Sequence, residues 1–149
     1  MQDHDMRKQS KLTRPLGFTL IELLVVLVIL GLLAGLVGPR LFGKVDSSKV
    51  KTAETQIKML KGALQTYRLD VGSYPNTAQG LAALQKAPTE ASRFWQGPYL
   101  DDNLPDDPWG NPYNYQSPVE NLQGMALYSL GADGTEGGEE INAEIGYLP

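Results

Sequence analysis

The chain has 149 residues, no cysteine and a net charge of -4. With an N-terminal leader and apolar segment set aside, about 110 residues remain, which is enough for one ordinary domain. Because the N-terminal basic residues precede residue 40, the rest of the chain is more acidic than the total suggests, and this argues against nucleic-acid binding.

Residues 1–17 form a polar leader in which basic side chains outnumber acidic ones. Basic residues ahead of a first apolar segment tend to stay in the cytoplasm, so the chain that follows is expected across the membrane. The leader contains Arg7, Lys8, Lys11 and Arg14 against Asp3 and Asp5.

Residues 18–37 are apolar except for the carboxylate of Glu22. About 20 apolar residues in a helix span the hydrocarbon core, where a carboxylate costs several kcal/mol unless it is paired. A cleaved secretory signal needs a small-x-small site after a short apolar region, and it is disfavoured because this segment is long and ends at Gly38-Pro39, with proline at a disfavoured place. A plain membrane anchor explains the length but leaves Glu22 unexplained.

Helix breakers lie near the end of the apolar segment, from Gly31 to Pro39. Pro39 lacks an amide hydrogen and glycine weakens helices, so a kink or an unwound turn is one interpretation. The other is a close-packing face, since Gly31 and Gly35 form a small-xxx-small pair. The residues alone favour neither.

A soluble amphipathic helix is predicted beyond Pro39, since apolar residues recur at spacings of three and four. Gly72 is a typical helix cap and Pro75 forbids continuation, so the helix should end near Val71 or Gly72. The apolar stripe consists of Val50, Ala53, Ile57, Leu60, Leu64, Tyr67 and Val71.

The second half predicts short elements joined by loops. Asn76 or Thr77 can cap a short helix that extends to about Lys86, with Leu81 and Leu84 turned inward. Residues 113–116 and 125–130 are the best strand candidates. The sequence therefore predicts an α+β fold, in which a long N-terminal helix packs on a small antiparallel sheet with a loop-rich C-terminal region.

The sequence offers little for catalysis. His4 is the only histidine and lies in the leader. Four aspartates occur as two adjacent pairs in a Pro-rich loop, where they are more often solvated turn residues than a catalytic dyad. The pairs are Asp101 with Asp102 and Asp106 with Asp107. We therefore expect no enzymatic activity.

The basic leader, Gly17 and the following Phe18-Thr19-Leu20-Ile21-Glu22 resemble the processing site of type IV pilins and type II secretion pseudopilins. The resemblance implies that a prepilin peptidase/methyltransferase cleaves after Gly17 and methylates the new amino group of Phe18. Glu22 would then pair with that amine in a neighbouring subunit, although the same pair can form within one chain, one helical turn apart.

The second half resembles the major pseudopilins of type II secretion in four segments, residues 74–81, 97–100, 107–113 and 129–134. The resemblance implies a pilin-like fold with a cleaved leader at 1–17, a transmembrane and filament-core helix at 18–39 and a periplasmic domain at 40–149. It also implies a single-pass protein of the bacterial inner membrane. In that family the helix-break region can lose helical form within the filament.

The partners implied are other copies of the chain in a homopolymer, minor pseudopilins, the inner-membrane assembly platform and membrane lipid. Such a filament would drive export of folded proteins across the outer membrane. The alternatives are a type IV pilin of a surface fibre and a monomeric, membrane-anchored calcium-binding domain.

The glycine-rich tail is rich in oxygen donors of the kind that Ca²⁺ accepts, but a solvated acidic loop has the same composition. The resemblance implies a calcium site, in which Asp133 matches the family motif best. Asn142 and Glu144 stand where relatives often have an aspartate. The implied ligands are Leu130 through its backbone carbonyl, Asp133, and Glu140, Asn142 or Glu144.

Overall fold

The computed structural model of the protein describes residues 17–149, except for the side chains of Leu41 and Phe42. Apart from Gly17, the predicted leader lies outside this range, so its cytoplasmic placement remains a prediction. The chain divides into two units, of which the first ends at Arg40 and the second is Leu41–Pro149.

Helix α1 comprises Leu20–Val71. It ends where predicted, because Gly72 adopts a left-handed φ of 95°. The Gly72 N–H donates to the Arg68 carbonyl oxygen at 2.8 Å, which satisfies one of the carbonyls left free at a helix end.

Pro39 lies inside helix α1, and the segment from Gly31 to Pro39 is helical throughout. Gly31 and Pro39 suggested a kink or an unwound turn. The single chain has no unwound turn between them. A helix of this length tolerates the loss of one backbone hydrogen bond at proline. Loss of helical form within a filament remains a prediction.

The predicted apolar stripe of α1 forms one wall of the core of the second unit. Its central residues are buried, with Leu60 and Leu64 fully inaccessible, while Val50 and Val71 at its ends are half-buried. Residues from the loops and the sheet complete the core, among them Leu81, Leu84, Leu100, Met125 and Leu127. The helical periodicity thus identified the face that packs inward.

Three antiparallel strands follow in the order β1-β2-β3, with β1 at Asn114–Gln116, β2 at Ala126–Ser129 and β3 at Ile145–Tyr147. The first two confirm the predicted strands, each slightly shorter than expected. Strand β3 was not predicted. Its central Gly146 has a φ of 130°, and a side chain there would meet the Leu127 carbonyl oxygen of β2.

The helix predicted from residue 76 or 77 to Lys86 is shorter than expected. Asn76 Oδ1 accepts the Gln79 N–H at 2.8 Å, but this caps a turn at 77–80 and not a helix, so the predicted helix start at Asn76 or Thr77 is wrong. Gly80 then adopts a φ of 60°, which ends the first turn, and only a 3₁₀-helix at Leu81–Leu84 follows. As predicted, Leu81 and Leu84 are buried.

The prediction of solvated aspartates holds for Asp101, Asp102 and Asp106 and is wrong for Asp107, which is only 4% exposed. Its carboxylate accepts the N–H groups of Trp109 at 3.0 Å and of Asn111 at 2.9 Å. Asp107 therefore holds the tight 107–111 loop together from inside, which compensates for its burial.

Candidate functional site

The apolar half of α1 is exposed in the part of the chain that the structure describes. All large apolar side chains between Phe18 and Val37 are about half exposed or more, from 48% at Val26 to 88% at Leu20. The helix contains an 18-residue window with a mean hydropathy of 3.0, long and apolar enough to cross a membrane. An exposed apolar surface of this size requires a lipid or protein environment.

Gly17 and Phe18, the predicted processing positions, lie in an exposed segment without regular secondary structure directly before α1. An added Cβ at Gly17 would meet no atom of residues 17–149 within 4 Å. A peptidase needs such access, and cleavage here would place a new amine one residue before Thr19.

Glu22 lies in the first turn of α1, where Thr19 and Glu22 cap the helix reciprocally. The Glu22 N–H donates to the Thr19 hydroxyl oxygen at 3.2 Å, and the Thr19 N–H donates to Glu22 Oε2 at 3.4 Å. This is a capping box, which satisfies two of the free N–H groups at a helix start. The T-x-x-E pattern at 19–22 signals it in the sequence, and our reasoning from the residues overlooked it.

The capping box bears on the two pairings left open for Glu22. Within the single chain the carboxylate already contacts the Thr19 N–H, and its side chain is exposed. One weak hydrogen bond at 3.4 Å leaves most of the acceptor capacity of a carboxylate unused. Glu22 is therefore held at the start of the helix with its negative charge still available to a cation outside the chain.

The second candidate site is the acidic loop, defined as residues 131–144. Its base is closed by the Ala132 N–H, which donates to the Ile141 carbonyl oxygen at 2.8 Å. Gly131 has a φ of 79°, and a Cβ there would lie 2.8 Å from backbone atoms of Ile141 and Asn142. Only glycine fits this neck, so the loop can leave β2 and return to β3 within a short distance.

The acidic loop brings two of the predicted calcium ligands, Asp133 and Glu144, into electrostatic range of each other. The Gly137 N–H donates to Glu144 Oε1, and this bond lowers the pKa of the Glu144 carboxyl, while the nearby charge of Asp133 acts in the opposite direction. Asp133 Oδ1 accepts the Thr135 N–H at 3.1 Å. Both carboxylates are thus ordered by the loop backbone.

The other predicted ligands are less clearly assembled. Leu130 and Asn142 are half-buried at the loop base, and the Glu140 side chain is exposed on a residue whose φ is 55°. Within residues 17–149 there is no group of three or more His, Cys, Asp or Glu side chains placed to hold a metal. A calcium ion at Asp133 and Glu144 would need backbone carbonyl and side-chain amide oxygens to complete six to eight ligands.

Two sequence families match this chain. The family described as "Type II secretion system (T2SS), protein G" matches residues 40–148, and the "Prokaryotic N-terminal methylation motif" matches residues 13–38. The second match covers Gly17, Phe18 and Glu22, and the first covers the core, the sheet and the acidic loop.

Curated relatives are similar over almost their whole length. The type II secretion system core protein G of Pseudomonas aeruginosa is 50% identical over 132 residues, which cover 87% of this chain and 92% of the relative. That of Vibrio cholerae is 46% identical over 143 residues, covering 95% of this chain and 94% of the relative.

A solved structure agrees in fold. The crystal structure of the major pseudopilin from the type 2 secretion system of enterohaemorrhagic Escherichia coli is 32% identical and superposes with a TM-score of 0.59. The match covers 72% of this chain and 93% of that one. The chain therefore belongs to the type II secretion system protein G family, the major pseudopilins.

Proposed function

We propose that this chain polymerises into the periplasmic pseudopilus of a type II secretion system and that growth of the filament drives folded proteins across the outer membrane. As a member of its family the chain is a structural pseudopilin subunit and not an enzyme. Family membership implies assembly of a pseudopilus, and the methylation motif implies processing by a prepilin peptidase.

The proposal includes location and partners. After cleavage behind Gly17, residues 18–39 anchor each subunit once in the inner membrane, and the domain at 40–149 lies in the periplasm. The partners are further copies of the chain, minor pseudopilins, the inner-membrane assembly platform, the prepilin peptidase/methyltransferase and membrane lipid. The exposed apolar residues 20–37 support both a lipid contact before assembly and a packed filament core after it.

The observation that carries the proposal is the single carboxylate of Glu22 among the exposed apolar side chains of residues 18–37. Cleavage creates a cationic amine on Phe18, and a neighbouring subunit shifted along the filament can bring its Glu22 to that amine. When the two opposite charges pair in an apolar surrounding, their attraction offsets the desolvation free energy of burying them. Only a register that brings the two charges together gains this stabilisation, so the pairing selects one register between subunits.

The test separates this charge from the capping role of Glu22. Glu22→Gln keeps a residue that closes a capping box but removes the charge, whereas Glu22→Ala removes both. We expect both variants to be processed and inserted, with a methylated Phe18 in mass spectrometry of the mature N-terminus, and neither to form filaments. The measurement is the yield of sheared or cross-linked filaments from cells with a working secretion system.

Normal filaments from Glu22→Gln together with none from Glu22→Ala would assign Glu22 to capping and refute the charge pairing. A wild-type chain that keeps Met1 in secretion-competent cells would refute the processing step itself.

We further propose that the acidic loop binds calcium through Asp133 and Glu144, completed by the Leu130 carbonyl and by oxygens of Asn142 or Glu140. The electrostatic effect of Asp133 on Glu144 and the glycine-rich backbone between them support it. When bound, the ion would neutralise these carboxylates and tie the two ends of the loop together. The chain has no disulfide for that purpose, because it has no cysteine.

A further inference from the structure

In the second unit, the solvent-exposed side of α1 carries a row of lysines. Lys44, Lys51 and Lys58 are exposed and seven residues apart, so they lie on one side of the helix at intervals of about 10 Å. Glu54 lies beside Lys51 and Lys58, and Glu144 lines the same groove as Lys58. Even so, helix residues 43–71 contain six basic and three acidic side chains.

Beside this lysine row runs an uncharged strip whose polar groups are satisfied inside the helix. Its hydroxyl groups each donate to the carbonyl oxygen four residues earlier, at 2.8 to 3.1 Å, so their protons are already engaged within the helix. Met59 on the same strip is 48% exposed. The hydroxyl residues are Ser48, Thr52, Thr55 and Thr66.

The opposite flank of the strip is acidic. A groove of about 420 Å³ separates α1, at Met59 and Thr66, from the loop that contains Asp101 and Asp102. Both aspartates are exposed, and the described residues that line the groove include no lysine or arginine. Residues 72–149 as a whole contain two basic and eleven acidic side chains, so this part of the chain is strongly acidic.

We propose that the lysine row of one copy docks against the Asp101–Asp102 flank of a second copy, with the uncharged strip between the two flanks brought into contact. Because the lysines and the aspartates lie on opposite flanks of the strip, one copy can present its lysines to one neighbour and its aspartates to the next. Such a heterologous contact repeats from copy to copy and builds a filament when its rotation does not close a ring. The inference rests on the proposed polymerisation and identifies its contact surface in the periplasmic domain.

Charge complementarity of this kind sets register and partner choice more than affinity. In its own copy the aspartate loop lies level with helix residues 56–66, as the groove lining shows. A neighbour without axial shift therefore places Lys58 opposite the aspartates, and a neighbour shifted by about 10 Å places Lys51 there. The seven-residue spacing keeps one lysine in position in either arrangement.

Charge reversal in the full chain, in secretion-competent cells, tests the pairing. We expect the double variant Lys51→Glu and Lys58→Glu to lose several-fold in filament yield, and Asp101→Lys with Asp102→Lys to lose as much. Co-expression of the two variant chains should restore mixed filaments, since the reversed flanks then match. Control reversals at exposed sites elsewhere, Lys86→Glu and Glu120→Lys, should assemble like the wild type.

Cysteine cross-linking gives the second measurement, and the absence of native cysteine makes it clean. Chains with Asp102→Cys plus either Lys58→Cys or Lys51→Cys should form a ladder of disulfide-linked multimers upon mild oxidation, because the contact is head-to-tail. A chain with Lys58→Cys and Glu120→Cys should not form the ladder.

The outcomes separate this inference from the proposed function. The contact would be overturned if the wild type forms filaments and both charge-reversed variants assemble normally. It would also be overturned if neither cysteine pair gives a ladder. Either result would leave polymerisation intact. Discrete dimers without higher multimers would overturn the head-to-tail geometry. Absence of filaments from the wild-type chain would instead refute the proposed function.

Discussion

The buried carboxylate of Asp107 accepts a hydrogen bond of 2.6 Å from the hydroxyl of Ser129 at the end of β2. The same hydroxyl oxygen accepts the Gly131 N–H at 3.1 Å. A continuous polar network therefore links the 107–111 loop, the central strand and the neck of the acidic loop. A bond from a hydroxyl to a buried carboxylate is among the stronger ones in a protein.

We predict that Asp107→Ala destabilises the second unit by about 3 kcal/mol, because it removes a charged acceptor and leaves two backbone N–H groups without a partner. Urea unfolding of the detergent-solubilised chain, followed by tryptophan fluorescence, measures this. Both tryptophans, Trp95 and Trp109, lie in the second unit, so the signal reports on that unit alone.

The control for this prediction is the adjacent Asp106→Ala. Asp106 is exposed, and a surface substitution of this kind usually changes stability by less than about 0.5 kcal/mol. Equal loss from the two variants would mean that the burial and the hydrogen bonds of Asp107 contribute nothing particular.

We predict that Gly131→Ala is more damaging than Gly137→Ala, although both glycines have a φ near 80°. At Gly137 an added Cβ meets nothing within 4 Å, so the cost is the backbone strain alone, about 1–2 kcal/mol. At Gly131 the Cβ would also lie 2.8 Å from the backbone of Ile141 and Asn142, which cannot move aside as a side chain could.

The same fluorescence unfolding experiment compares the two glycine variants. We expect the loss at Gly131 to exceed that at Gly137 and to be accompanied by faster proteolysis within residues 131–144. Equal stability of the two variants would show that the loop neck is not tightly closed.

The parts of this fold that follow from local pattern were predictable. The stripe from Val50 to Val71 reflects a helical period over six turns, and Gly72 ends it through a conformation that glycine adopts readily. Strand β3 was not predictable, since it is three residues long with a glycine at its centre. It is a strand only because β2 lies beside it to accept its hydrogen bonds.

The candidate sites divide in the same way. Gly17, Phe18 and Glu22 could be identified from adjacent residues, because their chemistry depends on a short linear motif. The burial of Asp107 depends on Ser129, 22 residues later, and no local pattern in a Pro-rich loop distinguishes it from the exposed Asp106. The electrostatic effect of Asp133 on Glu144 likewise depends on how the loop closes.

We predict that chelation of calcium lowers the thermal midpoint of the second unit and that added Ca²⁺ restores it, whereas Mg²⁺ at the same concentration does not. An ion that binds only the folded loop stabilises it by about 2.7 kcal/mol when present at a hundred times its dissociation constant. Mg²⁺ demands a smaller octahedral site and gives up its water reluctantly, so an irregular loop with carbonyl ligands discriminates against it.

The variant Asp133→Ala should remove the calcium response, and Glu136→Ala should keep it. Both residues are exposed acids of the acidic loop, and the charge of Asp133 acts on Glu144. If both variants lose the response equally, the ion is merely screening a negative surface. If the wild type shows no response, the loop is a solvated acidic segment closed by its glycines and by the Glu144 bond to the Gly137 N–H.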